Sequence, residues 1–95
     1  MNYEKELEAF FDQKDIDQLS VSSIALWFTL MQFNSRTGWK KEMTLPTSPL
    51  LLKSGRTEGS FMRARRKLVD KGYVIYRKAE GRKGSPCYEK ISLVR

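Results

Sequence analysis

The sequence contains no histidine, the side chain that most often serves as a general acid or base and as a metal ligand. Its single cysteine, Cys87, can form neither an intramolecular disulfide nor a zinc site of several thiolates. No apolar run approaches the roughly 18 residues of a membrane-spanning helix, and the acidic start MNYEKELEAFFD differs from a signal peptide. We therefore expect a small soluble protein of a reducing compartment, with no enzymatic activity, no cofactor and no metal.

Acidic side chains are scarce as well, and the scarcity is confined to one part of the chain. The 95 residues include 18 Lys and Arg against 11 Asp and Glu, a net charge of +7. Residues 1–35 carry a net charge of −4, whereas residues 36–95 carry +11. This segregation predicts that one part of a basic, single-domain protein meets a polyanion while the other part stays away from it.

The first third of the chain begins with a predicted amphipathic helix over about residues 2–13. Its apolar stripe, spaced i, i+4, i+7 and i+8, consists of Tyr3, Leu7, Phe10 and Phe11. This apolar stripe must pack against another apolar surface, and the sequence leaves two such surfaces possible. The helix either covers the rest of its own chain or packs against a second copy, which makes these four residues a candidate oligomer interface.

Cap and turn residues predict the next elements. A helix that is apolar almost all round begins after Ser20 or Ser22 and ends near Asn34, which is typical of a helix buried on two sides. A very short strand follows over residues 43–45. A short helix then begins with Ser48 as its N-cap and Pro49 as its first residue.

The following helix is bounded by clear signals. Gly55 suits the left-handed position that ends the short helix, and Thr57 can cap a helix running to about Lys71. Gly72 closes that helix in the same way. The remaining residues, about 73–94, predict two strands around a Gly-containing loop, a β-hairpin.

This order of elements predicts the fold class. It is mainly α with a small β-hairpin (α+β), a winged helix-turn-helix with one extra helix in front. We expect residues 20–95 to form the winged helix-turn-helix domain as one compact unit. Residues 1–19 add the N-terminal helix and its connection.

The helix from Thr57 predicts a DNA-reading surface. At about 100° per residue, Phe61 faces the core while Arg63 and Arg66 lie on the opposite side. In a helix-turn-helix, this side enters the major groove, where arginine can bind guanine O6 and N7 with two hydrogen bonds. The candidate DNA-binding residues of the helix and hairpin are Thr57, Ser60, Met62, Arg63, Arg65, Arg66, Lys67, Arg77, Lys78, Arg82 and Lys83.

These candidates have different expected roles. Arg65 and Lys67 reach flanking phosphates, and the amides after Thr57 offer donors to a phosphate oxygen. The hairpin residues, among them Arg82 and Lys83, grip the DNA backbone, which positions a protein without reading sequence. The alternative, that the basic run RARRK and the hairpin only form a solvated surface, stays open.

The segments LSVSSIALWFTLMQFNSRTGW, LPTSPLLLKSG and TEGSFMRARRKLVDKGYVIY carry a resemblance that extends over about residues 3–94. They resemble the N-terminal winged-helix domains of DnaD-like replication proteins from phages and mobile elements of Gram-positive bacteria. The resemblance implies a role in replication initiation in the cytoplasm of a bacterial or phage-infected cell, with helicase-loading proteins as further partners. Members of the family usually continue into a C-terminal domain, so we expect a fragment or a small stand-alone relative.

The sequence thus predicts a domain that binds double-stranded DNA and has no contact with membranes. Two alternatives remain. One is an oligomerisation or protein-interaction module of a replisome protein. The other is a small winged-helix transcriptional regulator.

Overall fold

A computed structural model describes residues 1–55, 57–81 and 84–94 of the chain. The described residues form four helices and one three-stranded antiparallel sheet, which confirms the α+β class. The radius of gyration is 12.7 Å, close to the ~12 Å of a compact domain of this length. The elements are α1 (Tyr3–Ile16), α2 (Val21–Arg36), β1 (Met43–Thr44), α3 (Thr47–Ser54), α4 (Glu58–Asp70), β2 (Val74–Arg77) and β3 (Cys87–Lys90).

The starts of α1 and α2 are fixed by side-chain caps. The side chain of Asn2 accepts a hydrogen bond from the Lys5 amide at 3.0 Å, and Ser20 Oγ accepts one from the Ser23 amide at 3.2 Å. Ser20, rather than Ser22, is therefore the cap of α2. Both helices extend further than predicted, because the polar residues that follow each apolar stripe continue the helix to its C-cap.

The predicted start of α3 is wrong. The helix begins at Thr47 with Pro46 as its N-cap residue, and no side chain caps it. Pro49 is therefore the third helical residue rather than the first. The helix tolerates proline there because the amides of the first turn have no acceptor within the helix.

The turn between α3 and α4 follows the prediction. Gly55 adopts the left-handed conformation with φ 66°, and its amide bonds to the Leu51 carbonyl at 3.0 Å. Thr57 caps α4 by accepting a hydrogen bond from the Ser60 amide at 3.3 Å. Gly72, with φ +81°, follows the end of α4. Because α3 and α4 are separated by only three residues, they are held as a closely linked helix pair.

The sheet contains more than the predicted hairpin. Its strand order is β1-β3-β2, with both pairs antiparallel. Tyr88 lies opposite Tyr76 on one side and opposite Met43 on the other. The short strand predicted near residue 43 therefore completes the sheet by pairing with the last strand, a long-range contact that local sequence does not encode.

The core is centred on α2 and includes α1. Phe10 of α1 stacks on the Trp27 ring with centroids 3.8 Å apart and planes 2° apart. Phe10 also meets Tyr73 edge to face. The first helix thus covers the second within the same chain. The buried hydrophobic residues are Phe10, Leu26, Trp27, Leu30, Met31, Met43, Leu50, Phe61, Ala64, Leu68, Tyr73, Val74 and Tyr88.

Two polar contacts fasten α1 and its C-terminal end to the rest of the chain. The buried Glu6 carboxylate accepts hydrogen bonds from Ser92 Oγ at 2.5 Å and from the Leu93 amide at 3.0 Å. The Tyr73 hydroxyl donates to Asp17 Oδ2 at 2.5 Å, and this bond lowers the pKa of Asp17. These bonds join α1 to the segment after β3 and to the start of β2.

Candidate nucleic-acid interface

Helix α4 has one buried and one exposed side. The apolar stripe predicted from Phe61 lies in the core. Met62, Arg63 and Arg66 are exposed on the other side. Arg63 Nη2 donates to Ser60 Oγ at 3.4 Å, and Arg66 follows one turn later. Two guanidinium groups therefore stand three residues apart on the outer face of a short helix.

The N-terminal half of α4 also borders the start of α2. Ser60 and Lys67 are half-buried and face this side, together with Arg63. They line a cleft of about 450 Å³ with Gln18, Ser20, Ser22, Ser23 and Ala64. Lys67 and Ser60 thus belong to the α2 side of the helix rather than to its side facing the hairpin.

Arg65 does not lie on the surface, and its expected role as a direct contact to a flanking phosphate is not supported. Its side chain is only 9% exposed. Nη1 donates to the Tyr88 hydroxyl at 3.2 Å, and the guanidinium carbon lies 4.0 Å from the centroid of the Tyr76 ring. Arg65 sits about 40° around the helix from Phe61, which places it toward the sheet. It therefore joins α4 to β2 and β3.

A groove of about 690 Å³ runs between α4 and β2. Arg66 of α4 and Lys78, which follows β2, both line the groove together with the buried Arg65. The described residues that line it are Gly59, Met62, Arg63, Arg65, Arg66, Val69, Asp70, Tyr76 and Lys78. The groove therefore combines four cationic side chains with apolar and aromatic surface, and only one acidic side chain.

The hairpin contributes fewer described cations than its sequence suggests. Lys78 is exposed beyond the end of β2. Arg77 is also exposed, but it forms an ion pair with Glu42 and lies 3.6 Å from Cys87 Sγ. Cys87 is half-buried in β3. Arg82 and Lys83 lie outside the described residues.

The four residues of the candidate oligomer interface do not form one exposed stripe. Phe10 is in the core, and Tyr3 and Leu7 are half-buried against it. Tyr3 meets Trp39 edge to face, with centroids 5.8 Å apart. Only Phe11 is largely exposed, at 66%. Three residues of the predicted stripe thus pack within the chain, and the ring of Phe11 is exposed. Phe10 and Phe11 differ because adjacent helical residues point about 100° apart.

Two groups of side chains that pack beneath the candidate surface or in the core were not predicted from the sequence. The first is the pair of tyrosines, Tyr76 and Tyr88, that surrounds Arg65. The second is Lys90, which is 6% exposed, with Nζ 4.1 Å from the centroid of the Trp27 ring. The alternation of side chains along a strand could have indicated that Lys90 is buried, since Tyr88 and Lys90 occupy the same face of β3.

The burial of Lys90 changes its protonation. Desolvation lowers the pKa of its ammonium group from 10.5 to about 7, and the nearby Glu6 carboxylate opposes this shift. Lys90 Nζ and Trp27 Nε1 are both buried, and neither has a hydrogen-bond partner in the part of the chain that the structure describes. The burial of Lys90 therefore lowers the stability of the fold, and Lys90 is not part of the exposed basic surface.

The described part of the chain lacks metal-binding clusters and membrane-spanning helices. It contains no group of three or more Cys, Asp or Glu side chains arranged to hold a metal ion. Within the same ranges, no helix has both the length and the apolar character required to cross a membrane.

Comparisons with protein-family models, with curated proteins and with solved structures found no match to this chain. The resemblance to DnaD-like replication proteins therefore stays a prediction. The groove and the exposed face of α4 are the features from which a function can be argued.

Proposed function

We propose that this chain is a winged helix-turn-helix domain that binds double-stranded DNA. The exposed face of α4 would enter the major groove, and the β2–β3 hairpin would contact the backbone. The observation that carries this proposal is the outward placement of Arg63 and Arg66 on a helix whose other side is anchored in the core. These two residues would read base edges.

The element order supports the proposal independently. A helix, a short strand, two closely linked helices and two further strands follow one another, and the first strand pairs with the last. The turn between α3 and α4 contains Gly55, as helix-turn-helix units often do. In this arrangement α4 is the recognition helix and the β2–β3 hairpin is the wing.

Charge supports a polyanionic ligand. From Lys53 to Lys83 the sequence contains 11 basic and 3 acidic residues. Contact with phosphates releases counterions, so log K should fall linearly with log salt, with a slope of about −0.9 for each phosphate neutralised. The decisive experiment is selection of bound duplexes from a random pool, followed by fluorescence-anisotropy titration of the selected duplex at several salt concentrations.

Arg63→Ala and Arg66→Ala are expected to weaken binding to the selected duplex by about 1–3 kcal/mol each and to relax the preference at individual base pairs. Each substitution removes a guanidinium that we assign to a base edge. Repeating the selection with each variant measures the lost preference directly.

Arg36→Ala is the matched control for these substitutions. Arg36 is exposed in the last turn of α2 and carries the same charge. It should leave the base preference unchanged and alter affinity only slightly. Equal losses in all three variants, or no binding to any duplex at low salt, would contradict the proposed reading of DNA by α4.

We further propose that DNA binding serves replication initiation in the bacterial cytoplasm, with helicase-loading proteins as later partners. The support is the resemblance of the segments around residues 19–39, 45–55 and 57–76 to DnaD-like domains. A transcriptional regulator is the alternative within DNA binding. Selected sequences that map to the replication origin of the replicon encoding this chain would favour replication, and sites upstream of genes would favour regulation.

A protein-interaction module is the second candidate function, and one observation favours it. Phe11 and the 43% exposed Phe28 border an open cleft of about 340 Å³ between α1 and α2. Leu7 and the edge of Phe10 also line this cleft. Exposed aromatic surface of this kind often marks protein contacts.

Phe11→Ser is expected to abolish self-association if this cleft joins two copies. Sedimentation velocity over a wide concentration range measures the effect. Leu52→Ser is the matched control, since Leu52 is equally apolar and exposed but lies on α3, outside the cleft. A wild-type protein that stays monomeric at high concentration would count against the interaction module.

A further inference from the structure

The groove between α4 and β2 contains a buried cation that has no anionic partner among the described residues. Arg65 contacts the hydroxyl of Tyr88, the ring of Tyr76 and the sulfur of Met62, with Nη2 3.2 Å from Sδ. These partners are all neutral. The ion pairs found among the described residues join Lys14 to Asp15 and Arg77 to Glu42, and neither involves Arg65.

A buried guanidinium with only neutral neighbours lacks an opposite charge to offset the free energy lost when it leaves water. Stacking on Tyr76 and one hydrogen bond to a phenol offset only part of the cost of removing the charge from water. The other cations that border the groove, Arg63, Arg66 and Lys78, add to the positive potential instead of reducing it. Asp70 borders the groove as well, at the end of α4, but forms no ion pair with Arg65.

We propose that the missing counter-charge is a phosphate of duplex DNA and that the groove holds one phosphodiester strand. The inference rests on the proposed DNA-binding function and specifies where the backbone lies. Lys78 after β2 contacts the phosphate oxygens, and Arg66 on α4 borders the same strand while its guanidinium reaches a base edge. Arg65 acts through its field, which is weakly screened because the group is buried.

The shape and chemistry of the groove fit a sugar-phosphate strand. Met62, Val69 and Tyr76 provide apolar surface against the deoxyribose rings. At Gly59 an added Cβ would meet only Arg63 Nη1, at 3.5 Å, so the protein's own packing does not require glycine there. The absent side chain leaves the N-terminal turn of α4 open to a close approach of the ligand.

Arg65 is thus a positioning residue with two actions. Its contacts with Tyr76 and Tyr88 set the width of the groove, and its charge attracts the phosphate. Arg65→Lys keeps the charge but loses the planar stacking and the forked donors. Arg65→Met keeps most of the volume and removes the charge.

The experiment observes Arg65 in the unmodified protein. The Nε–Hε cross-peak of this buried arginine in a ¹⁵N-correlated NMR spectrum is assigned by its disappearance in Arg65→Lys. The duplex selected from the random pool is then titrated in, and the backbone amides of α4 are followed in the same spectra. A parallel titration uses inorganic phosphate at the same total phosphate concentration.

We expect the Arg65 Nε–Hε peak to shift with the duplex in step with the α4 amides, and to shift far less with inorganic phosphate. If the α4 amides shift while the Arg65 peak stays in place, duplex binding stands but the strand does not occupy this groove. If inorganic phosphate moves the peak as much as the duplex does, the groove is a site for free anions and the strand assignment is wrong. If no duplex moves any peak, both the inference and the proposed function fail.

The variants give a second, quantitative measure. Arg65→Met should reduce the magnitude of the log K against log salt slope by about 0.9, the value for one phosphate, whereas Arg65→Lys should largely retain it. Arg36→Met, the same chemical change on exposed α2, should leave the slope unchanged. An Arg65→Met protein that is folded by its NMR dispersion and keeps the full slope would overturn the inference.

Discussion

Lys90→Met is expected to stabilise the fold by about 2–4 kcal/mol at pH 7. The substitution keeps an unbranched side chain of similar length but removes a buried ammonium group that no described residue hydrogen-bonds. Methionine can also pack favourably against the Trp27 ring, which the lysine now covers. The Glu6 carboxylate retains its hydrogen bonds to Ser92 and Leu93, so the substitution does not leave it unpaired.

The same residue is expected to make stability depend on pH. The pKa of Lys90 is about 7 in the folded chain, against 10.5 as the ordinary value. Between these values the unfolded chain binds a proton that the folded chain does not, so the free energy of unfolding rises with pH. Below pH 7 both states are protonated, and the folded state carries the full cost of burying the charge. From pH 7 to 9.5 we expect a gain of about 3 kcal/mol.

Urea unfolding monitored by tryptophan fluorescence from pH 6.5 to 9.5 tests both expectations. The upper limit lies below the ordinary tyrosine pKa of about 10, and burial raises the pKa of Tyr73 and Tyr88 further in the folded chain. Lys71→Met is the matched control, since Lys71 is exposed at the end of α4. It should change neither the stability nor its pH slope appreciably. A Lys90→Met protein with the same pH slope as wild type would show that Lys90 is not the titrating group.

Local signals in the sequence determined much of the fold. Ser20, Gly55, Thr57 and Gly72 occupy the cap and turn positions expected of them, because each acts on the backbone within a few residues. Pro49 misled the prediction of α3, since proline is tolerated at any of the first helical positions and so does not mark the start uniquely. Pairing of β1 with β3 joins residues more than 40 positions apart, and no local pattern encodes it.

The candidate site was predictable to a lesser extent. The exposed positions of Arg63 and Arg66 followed from helical periodicity alone. The same periodicity puts Arg65 only about 40° from Phe61, yet Arg65 was predicted to reach a flanking phosphate because charged residues are rarely buried. Lys90 is buried as well, which its charged side chain does not indicate. Which cations are buried depends on aromatic partners, Tyr76 and Trp27, that only the tertiary structure brings together.

Phe10→Ala is expected to destabilise the fold by about 3–5 kcal/mol, the usual cost of removing a buried aromatic ring. Phe10 is only 1% exposed. Its ring stacks on Trp27 and meets Phe28 and Tyr73 edge to face, so its removal leaves a cavity between α1, α2 and the start of β2. A domain of this length has a total stability of about 5–15 kcal/mol, so the loss is a large fraction of it. Urea unfolding at pH 7 measures the change.

The adjacent Phe11→Ala separates packing within the chain from contact with another copy. Phe11 is 66% exposed, and the Nζ of Lys14 lies 5.2 Å from the centroid of its ring. At low protein concentration, where any dimer dissociates, we expect a change of no more than about 0.5 kcal/mol. If Phe11→Ala destabilises the protein only at high concentration, the stabilising contact of Phe11 is intermolecular. Equal losses for Phe10→Ala and Phe11→Ala at low concentration would mean that α1 packs in a different rotation about its axis, with both rings buried.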